Sequence, residues 1–257
     1  MQNLPSEHSE RVANLHICCK LKIVVKRRSQ HPPVITCAAN IYGYAVRHHQ
    51  DDYHMVPPPD SILIQRAADI VQKGGVVAFP TETSYGLGAS IKHIDALERI
   101  YVIKKRPRHK PLLILISDIS DLIHLVSRVP RAAVTLMERF WPGPLTLLLP
   151  AKPGLPWPLC ADTAKVGVRI SSHSWAHSLV QTLGNPMTAT SANLSEHPAT
   201  YKAEEVADQL RSCPPDYILD GGPTSGGAPS TIIDVCTDPP EIVREGAISP
   251  KYMDLCG

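Results

Sequence analysis

The sequence predicts a mixed α/β domain that follows a basic N-terminal extension. From residue 59 onward, segments with helical periodicity alternate with short apolar runs typical of buried strands. With 43% hydrophobic residues among 257, the chain can bury a sizeable core, which excludes wholesale disorder. The apolar runs are far shorter than the ~20 residues of a membrane span, so no membrane partner is expected.

The predicted helices have recognisable ends. Asp60 or Ser61 caps the first helix, whose apolar residues recur on one face, and Lys73-Gly74-Gly75 ends it. A second helix begins at Asp95. Further helices are predicted over residues 118–126, 130–140, 174–183 and 202–210.

The predicted strands are short and apolar, and they separate the helices. They cover residues 76–79, 112–116, 146–149, 166–170, 187–190, 217–219, 231–235 and 242–244. This alternation favours one substantial mixed sheet in a domain spanning residues 59–250, with a short C-terminal tail over 251–257.

The N-terminal extension, residues 1–58, differs in charge from the rest. It carries seven basic and four acidic residues, with no acidic residue between Arg11 and Gln50. Such a leader is typical of a plastid or mitochondrial transit peptide; a disordered tail of a cytoplasmic protein, or a mis-assigned start, is the alternative. The seven cysteines are scattered and form no CxxC pair, which indicates reduced thiols. His48, His49 and His54 lack nearby cysteines, so no metal site is predicted.

Polar residues follow the strand that ends at Phe79. Thr81, Glu82, Thr83 and Tyr85 come directly after it, and glycines that follow let the backbone approach a ligand. A polar turn is the alternative interpretation. The glycine-rich residues 221–227 are either a surface connection or a flap over a ligand.

Five cations and a histidine lie within residues 104–110, between a helix and the next strand. Mutual repulsion makes this cluster costly unless an anion neutralises it, and phosphates suit Arg and Lys side chains. A solvated charge run is the alternative. The segment lacks the glycine-rich Walker pattern, which excludes an ordinary P-loop.

Further candidate residues lie in or after other strands. Ser191 and Asn193 alternate, so both side chains would point to one face if the strand continued; turn or capping roles are the alternative. Arg169 and Arg244 lie within apolar strands, where a charge needs a partner: a protein carboxylate, or a carboxylate or phosphate of a substrate. His173 and His177, four residues apart, favour a capping or surface role over a metal site.

Together these clusters resemble the YrdC family of threonylcarbamoyl-AMP synthases, from about Ser61 to Ser249. The motifs that carry the resemblance are Pro-Thr-Glu-Thr-Ser-Tyr-Gly-Leu-Gly (80–88), Lys-Lys-Arg-Pro (104–107), Lys-Pro-Leu (110–112), Phe-Trp-Pro-Gly-Pro-Leu-Thr (140–146), Gly-Val-Arg (167–169), Ser-Ala-Asn (191–193), Ser-Thr-Ile-Ile-Asp (230–234) and Arg-Glu-Gly (244–246). Each motif alone is weak, but all occur here in the family's order.

The resemblance implies a twisted open α/β sheet with a concave, positively charged face. It also implies that L-threonine, bicarbonate and ATP, with Mg²⁺ accompanying the nucleotide, yield L-threonylcarbamoyladenylate and pyrophosphate. That product supplies the threonylcarbamoyladenosine modification of tRNA through a downstream transferase. Such an enzyme needs positioning and charge neutralisation more than a protein nucleophile.

By this resemblance, two groups of residues hold the substrates. The catalytic set is Lys104, Arg106, Ser191 and Asn193, and ATP is bound by these four together with Lys110 and Arg244. Threonine is held by Thr83, Tyr85, Arg169, Ala189 and Ser230. Leu115 stands where long relatives often carry His, so one threonine contact is expected to be absent or replaced.

Three further expectations concern the chain as a whole. Long relatives carry a second C-terminal domain, and this sequence resembles the short, single-domain form. A non-catalytic module that binds tRNA or double-stranded RNA through its basic face is the main alternative function. A carbamoyl-transfer domain of the hydrogenase-maturation type is less favoured, because the acylphosphatase and zinc-finger modules of that type are not seen.

Overall fold

The computed structural model describes residues 58–252, of which Tyr252 is described by its backbone alone. These residues lie within one compact unit. The predictions on residues 1–57, including the transit peptide and the histidines at 48, 49 and 54, lie outside the described residues, as does most of the C-terminal tail.

The helices lie close to where the sequence predicts them. They are α1 (Ser61–Gln72), α2 (Ile94–Lys104), α3 (Arg131–Phe140), α4 (Trp157–Cys160), α5 (Ser174–Leu183) and α6 (Ala203–Gln209), with 3₁₀ helices at Ile119–His124 and Pro250–Tyr252. Asp60 caps α1 as predicted, since its carboxylate accepts the N–H groups of Ile62 at 2.8 Å and Leu63 at 3.2 Å. The short α4 was not predicted.

One predicted helix is shorter and tighter than expected. Residues 118–126 contain the 3₁₀ helix Ile119–His124 instead of an α-helix. Asp118 and Asp121 form a capping box there, which satisfies the backbone N–H groups of the first turn. Leu122 is the buried residue of this 3₁₀ helix, and the buried Leu125 and Val126 follow its end.

Within residues 58–252, nine strands form one open mixed sheet. They are β1 (Val77–Pro80), β2 (Tyr85–Gly88), β3 (Leu113–Leu115), β4 (Leu145–Pro150), β5 (Lys165–Arg169), β6 (Met187–Ser191), β7 (Tyr217–Ile218), β8 (Thr231–Asp234) and β9 (Glu241–Arg244). Their spatial order is β7-β1-β2-β6-β3-β5-β4-β8-β9, with β7 and β9 at the edges. The pairs β1/β7, β3/β5 and β4/β8 are parallel and the others antiparallel, which confirms the predicted mixed α/β class.

Strand β2 was missed by the sequence prediction, which treated residues 80–88 as a polar ligand loop. Its four residues are all buried and pair antiparallel with β1. Gly88 explains the difficulty, because a Cβ atom there would lie 2.1 Å from the carbonyl oxygen of Thr188. Glycine therefore permits a close approach of β2 to its neighbour, although it is unfavourable for strands in general.

The sheet is covered on both faces. Within β1 the buried side chains alternate: Ala78 belongs to the larger apolar cluster with α2 and α3, whereas Val77 and Phe79 pack with α1 and α5. Leu115 also lies in the α1/α5 cluster. Among residues 58–252 no helix combines the length and the apolar character needed to cross a membrane.

Candidate functional site

A cleft of about 960 Å³ lies over the middle of the sheet. Strands β2, β5, β6, β8 and β9 contribute to its walls, together with the segment that follows α2. Its charged lining consists of one carboxylate, Asp234, and of five cationic side chains: Arg106, Lys110, Lys165, Arg169 and Arg244. Asp234 is bonded to Lys165 and Arg169 to Glu82, so Arg106, Lys110 and Arg244 give the cleft its positive character.

The structure brings most of the predicted site residues together. Nine of the eleven line this cleft: Thr83, Tyr85, Arg106, Lys110, Arg169, Ala189, Ser191, Ser230 and Arg244. Lys104 and Asn193 do not line it, although both lie close behind its wall. Leu115 does not line the cleft either.

The cation-rich segment 104–110 points in several directions. Arg106 donates from Nε to the carbonyl oxygen of Lys110 at 3.1 Å and from Nη2 to that of Pro111 at 3.0 Å, which holds its guanidinium at the cleft wall. Partial burial lowers the pKa of Arg106. Arg108 instead turns away and is bonded to Glu98. Among residues 58–252, neither Arg106 nor Lys110 has a carboxylate within 4.0 Å.

Lys104 is only 1% exposed, at the end of α2. Its Nζ donates to the carbonyl oxygen of Ser191, to the carbonyl oxygen of Asn193 at 2.6 Å and to Asn193 Oδ1 at 3.3 Å. Burial, aided by the charge of Arg106, lowers the pKa of Lys104 to about 7. Strand β6 ends at Ser191, so the alternation predicted to place Ser191 and Asn193 on one face does not extend to Asn193.

A buried ion pair lies beside the threonines that follow β1. Arg169 Nη2 lies 2.8 Å from Glu82 Oε2, and the Ser171 hydroxyl donates to the same oxygen. Thr81 and Thr83 share a hydrogen bond of 3.1 Å between their hydroxyls. Arg169 Nε and Glu82 Oε1 are buried without a partner in the described residues, so this end of the cleft retains one donor and one acceptor.

His173 lies near this ion pair in a buried position. Both of its ring nitrogens lack a hydrogen-bond partner among the described residues. Burial lowers the pKa of His173, against a smaller opposing effect of Glu82. Within the described part of the chain, no group of three or more His, Cys, Asp or Glu side chains could hold a metal.

Ser230 and Arg244 join β8 and β9 at the cleft. Arg244 donates to the carbonyl oxygen of Ser230 from Nη2 at 2.7 Å and from Nε at 3.1 Å, and to the Ser230 hydroxyl at 3.0 Å. Thr146 lies 3.0 Å from that hydroxyl. Partial burial, with smaller contributions from the charges of Arg169 and Arg106, lowers the pKa of Arg244.

The glycine-rich segment 221–227 borders the same cleft. Tyr85 donates from its hydroxyl to the carbonyl oxygen of Gly222 at 2.8 Å, and burial raises the pKa of this phenol. The Ser225 hydroxyl donates to the carbonyl oxygen of Glu82 at 3.1 Å, and Gly227 lines the cleft. The segment thus contacts Tyr85 and Glu82 and also contributes Gly227 to the cleft lining.

Sequence reasoning did not assign site roles to Glu82, Lys165 or Asp234. Glu82 carried a usable signal, since a carboxylate beside two threonines directly after a buried strand is unusual. Asp234 ends the Ser-Thr-Ile-Ile-Asp motif, but nothing in the sequence indicated its contact with Lys165. The two residues are 69 positions apart on different strands and meet only through the pairing of β4 with β5 and β8.

Comparisons with a family model and with curated proteins agree on one family. The Sua5/YciO/YrdC family model, described as "Telomere recombination", matches residues 69–246. A threonylcarbamoyl-AMP synthase of Bacillus subtilis (strain 168) is 44% identical over 192 residues, which are 74% of this chain and 55% of that protein. A synthase of the same name from Chromobacterium violaceum is 37% identical over 69% of this chain and 91% of its own length.

A solved structure has the same fold. The crystal structure of Sua5 from Pyrococcus abyssi in complex with L-threonine has a TM-score of 0.72 and 38% identity, over 75% of this chain and 56% of that one. The chain spans about half the length of the Bacillus and Pyrococcus relatives. The match over residues 69–246, together with the shared open mixed sheet, shows that the chain belongs to the Sua5/YciO/YrdC family.

Proposed function

We propose that the chain is a nucleotidyltransferase that makes L-threonylcarbamoyladenylate from L-threonine, bicarbonate and ATP, for the threonylcarbamoyladenosine modification of tRNA. The observation that carries the proposal is a single cleft lined by two kinds of cation. Arg169 is ion-paired with Glu82, whereas Arg106 and Lys110 have no carboxylate partner in the described residues. We assign the first kind to a threonine end of the cleft and the second kind to a phosphate end. Relatives named threonylcarbamoyl-AMP synthase support it.

At the first end, Arg169 binds the carboxylate of threonine. Thr83 and Ser230 present hydroxyls beside it, Ala189 contributes its backbone, and Tyr85 shapes the pocket wall. Glu82 orients Arg169 through the 2.8 Å ion pair and leaves Arg169 Nε unused. A guanidinium can bind a carboxylate through two parallel hydrogen bonds, so the carboxylate of an amino acid is a suitable ligand for Arg169.

At the second end, Arg106 and Lys110 bind the phosphates of ATP, Ser191 contacts the nucleotide, and Arg244 supports it. The carboxylate of the cleft lining, Asp234, is bonded to Lys165, so Mg²⁺ enters as part of the MgATP substrate. Charge that develops on the leaving pyrophosphate is stabilised by Arg106 and Lys110, which need no reorganisation in the reaction.

The reaction balances without a protein nucleophile. The threonine amine condenses with bicarbonate to give a carbamate and water. A carbamate oxygen then attacks the α-phosphorus of ATP, and the bond to the β-phosphate oxygen breaks to release pyrophosphate. The chain's residues bind and orient the two substrates, which is the contribution that proximity requires.

Pyrophosphate release tests the proposal. The full chain is incubated with MgATP, bicarbonate and labelled threonine, and pyrophosphate and labelled adenylate are measured with and without threonine. We expect threonine-dependent release in proportion to adenylate formed. Release that is equal without threonine, or no release at all, would contradict the synthase assignment.

The alternative is a non-catalytic module that binds double-stranded RNA or tRNA. The excess of cations over carboxylates in the cleft favours it, because phosphate attraction alone needs no catalytic geometry. It predicts RNA binding that falls steeply with salt and an Arg106→Ala effect on RNA binding without ATP turnover. Any threonine-dependent ATP turnover would contradict this alternative.

A further inference from the structure

The predicted catalytic set divides into two layers. Arg106 and Ser191 line the cleft, whereas Lys104 and Asn193 lie behind them, at 1% and 7% exposure. A phosphate in the cleft would therefore meet the first pair directly. The second pair can influence a ligand only through the residues that it holds.

The ammonium of Lys104 has no free donor in this arrangement. An ammonium carries three N–H groups, and the three oxygens around Nζ are Ser191 O, Asn193 O and Asn193 Oδ1. Among the described residues no carboxylate lies within 4.0 Å of this nitrogen. Contact with a phosphate would require at least one of these bonds to break.

Residues 193–197 make further hydrogen bonds next to Lys104. The Ser195 N–H donates to the carbonyl oxygen of Lys104 at 2.8 Å. Asn193 Nδ2 donates to the carbonyl oxygens of Leu194 at 2.9 Å and His197 at 2.6 Å. Both N–H groups of the Asn193 side-chain amide thus donate within the chain. Residues 191–197 form a turn that is hydrogen-bonded to Lys104 through its Nζ and its carbonyl oxygen.

We infer that Lys104 is a positioning residue that acts through Ser191, and is not a ligand of the ATP phosphates. Because the peptide group is planar, a bond that fixes the Ser191 carbonyl also fixes the direction in which that residue leaves β6. The hydroxyl of Ser191 is thereby presented to the cleft. The inference rests on the proposed function, since ATP is the ligand that Ser191 meets.

A double-mutant cycle tests whether Lys104 affects ATP binding through Ser191. The Kd for MgATP is measured by calorimetry on the full chain. We expect Lys104→Met to weaken ATP binding about tenfold in the native background, and less than about twofold when Ser191→Ala is already present, because residues that act as one unit are not additive. Equal weakening in both backgrounds would overturn the inference in favour of direct phosphate contact.

The matched control is Lys105→Met, which removes the same charge from the exposed neighbouring residue outside the cleft. If the Lys104→Met variant does not fold, the Asn193→Ala variant is tested in its place. Asn193→Ala removes one acceptor, Asn193 Oδ1, and leaves the Lys104 ammonium the carbonyl oxygens of residues 191 and 193. This variant should also weaken ATP binding only when Ser191 is present. An unchanged or additive effect of Asn193→Ala would contradict the inference.

Amide hydrogen exchange separates this inference from the proposed function. Lys104→Met, or Asn193→Ala in its place, should accelerate exchange at Ala192 and Ser195, whose N–H groups donate to Tyr85 O and Lys104 O at 2.8 Å each, whereas Lys105→Met should not. If the wild type binds no ATP, the proposed function fails and the exchange result still decides whether Lys104 holds the turn. Unchanged exchange in the variant would refute that role.

Discussion

The cations at the two proposed ends of the cleft differ in whether a protein carboxylate neutralises them. Arg169 is paired with Glu82 at 2.8 Å and is nearly buried, whereas Arg106 and Lys110 face the cleft with no carboxylate within 4.0 Å in the described range. A buried charge needs a partner in the protein, so Arg169 is oriented before any ligand arrives. Arg106 and Lys110 have no such partner in the described range, so their charge is available to a mobile anion. The contrast suggests one end built for precise recognition of an amino acid and one for phosphate neutralisation.

The largest test of this comparison is Arg106→Ala. Removing the guanidinium that we assign to the transferring phosphates should lower kcat/KM for ATP about 100-fold, because such groups stabilise charge that develops in the transition state. Threonine-dependent pyrophosphate release measures it. Arg108→Ala is the matched control, since Arg108 is bonded to Glu98 outside the cleft and should have nearly normal activity. Equal losses in both variants would remove the distinction.

Glu82→Gln tests the other end. Without the carboxylate, Arg169 loses its charge partner and its orientation, so the KM for threonine should rise about tenfold, a loss of the size expected for a charged hydrogen bond. The KM for ATP should change little. Steady-state kinetics with each substrate varied in turn gives both values, and an equal rise in the two would mean that the ends of the cleft are not separate.

The pH dependence of stability tests the burial of Lys104 behind the wall of the cleft. The pKa of Lys104 is lowered to about 7 in the folded state from an ordinary value of 10.5, through burial and the nearby Arg106. Above pH 7 the unfolded chain therefore binds more protons than the folded one, and stability rises with pH towards 10.5. Denaturant unfolding should show the wild type gaining about 1 kcal/mol relative to Lys104→Met between pH 7 and pH 8. A constant difference over that range would contradict this.

The smallest effect is expected for Lys110→Ala. Lys110 lines the cleft but is exposed, so its charge is partly screened and should contribute only about threefold to the KM for ATP. The effect should shrink as salt is raised. Lys105→Ala, an exposed lysine outside the cleft, is the control and should leave the KM unchanged at every salt concentration.

Much of the fold could be predicted because its signals are local. Asp60 caps α1, apolar residues recur along α1 and α5, and short apolar runs mark most strands. Strand β2 was missed because Gly88 is explained only by the approach of β2 to Thr188 on β6, 100 positions later. The helix predicted over 118–126 is present as the shorter 3₁₀ helix Ile119–His124, because periodicity alone did not distinguish the two helix types or fix the helix end.

The sequence by itself determined the mixed α/β class, the residues that carry the family resemblance and the concentration of cations over 104–110. Only the tertiary structure decided which of these cations face the cleft. Lys104 and Arg106 are two positions apart, yet one is enclosed by three oxygens from residues 191–193 and the other faces the ligand space. The physical reason is that α2 ends at Lys104 and Lys105 adopts a left-handed conformation, so the chain turns between them and the end of β6 supplies the oxygens that a buried ammonium requires.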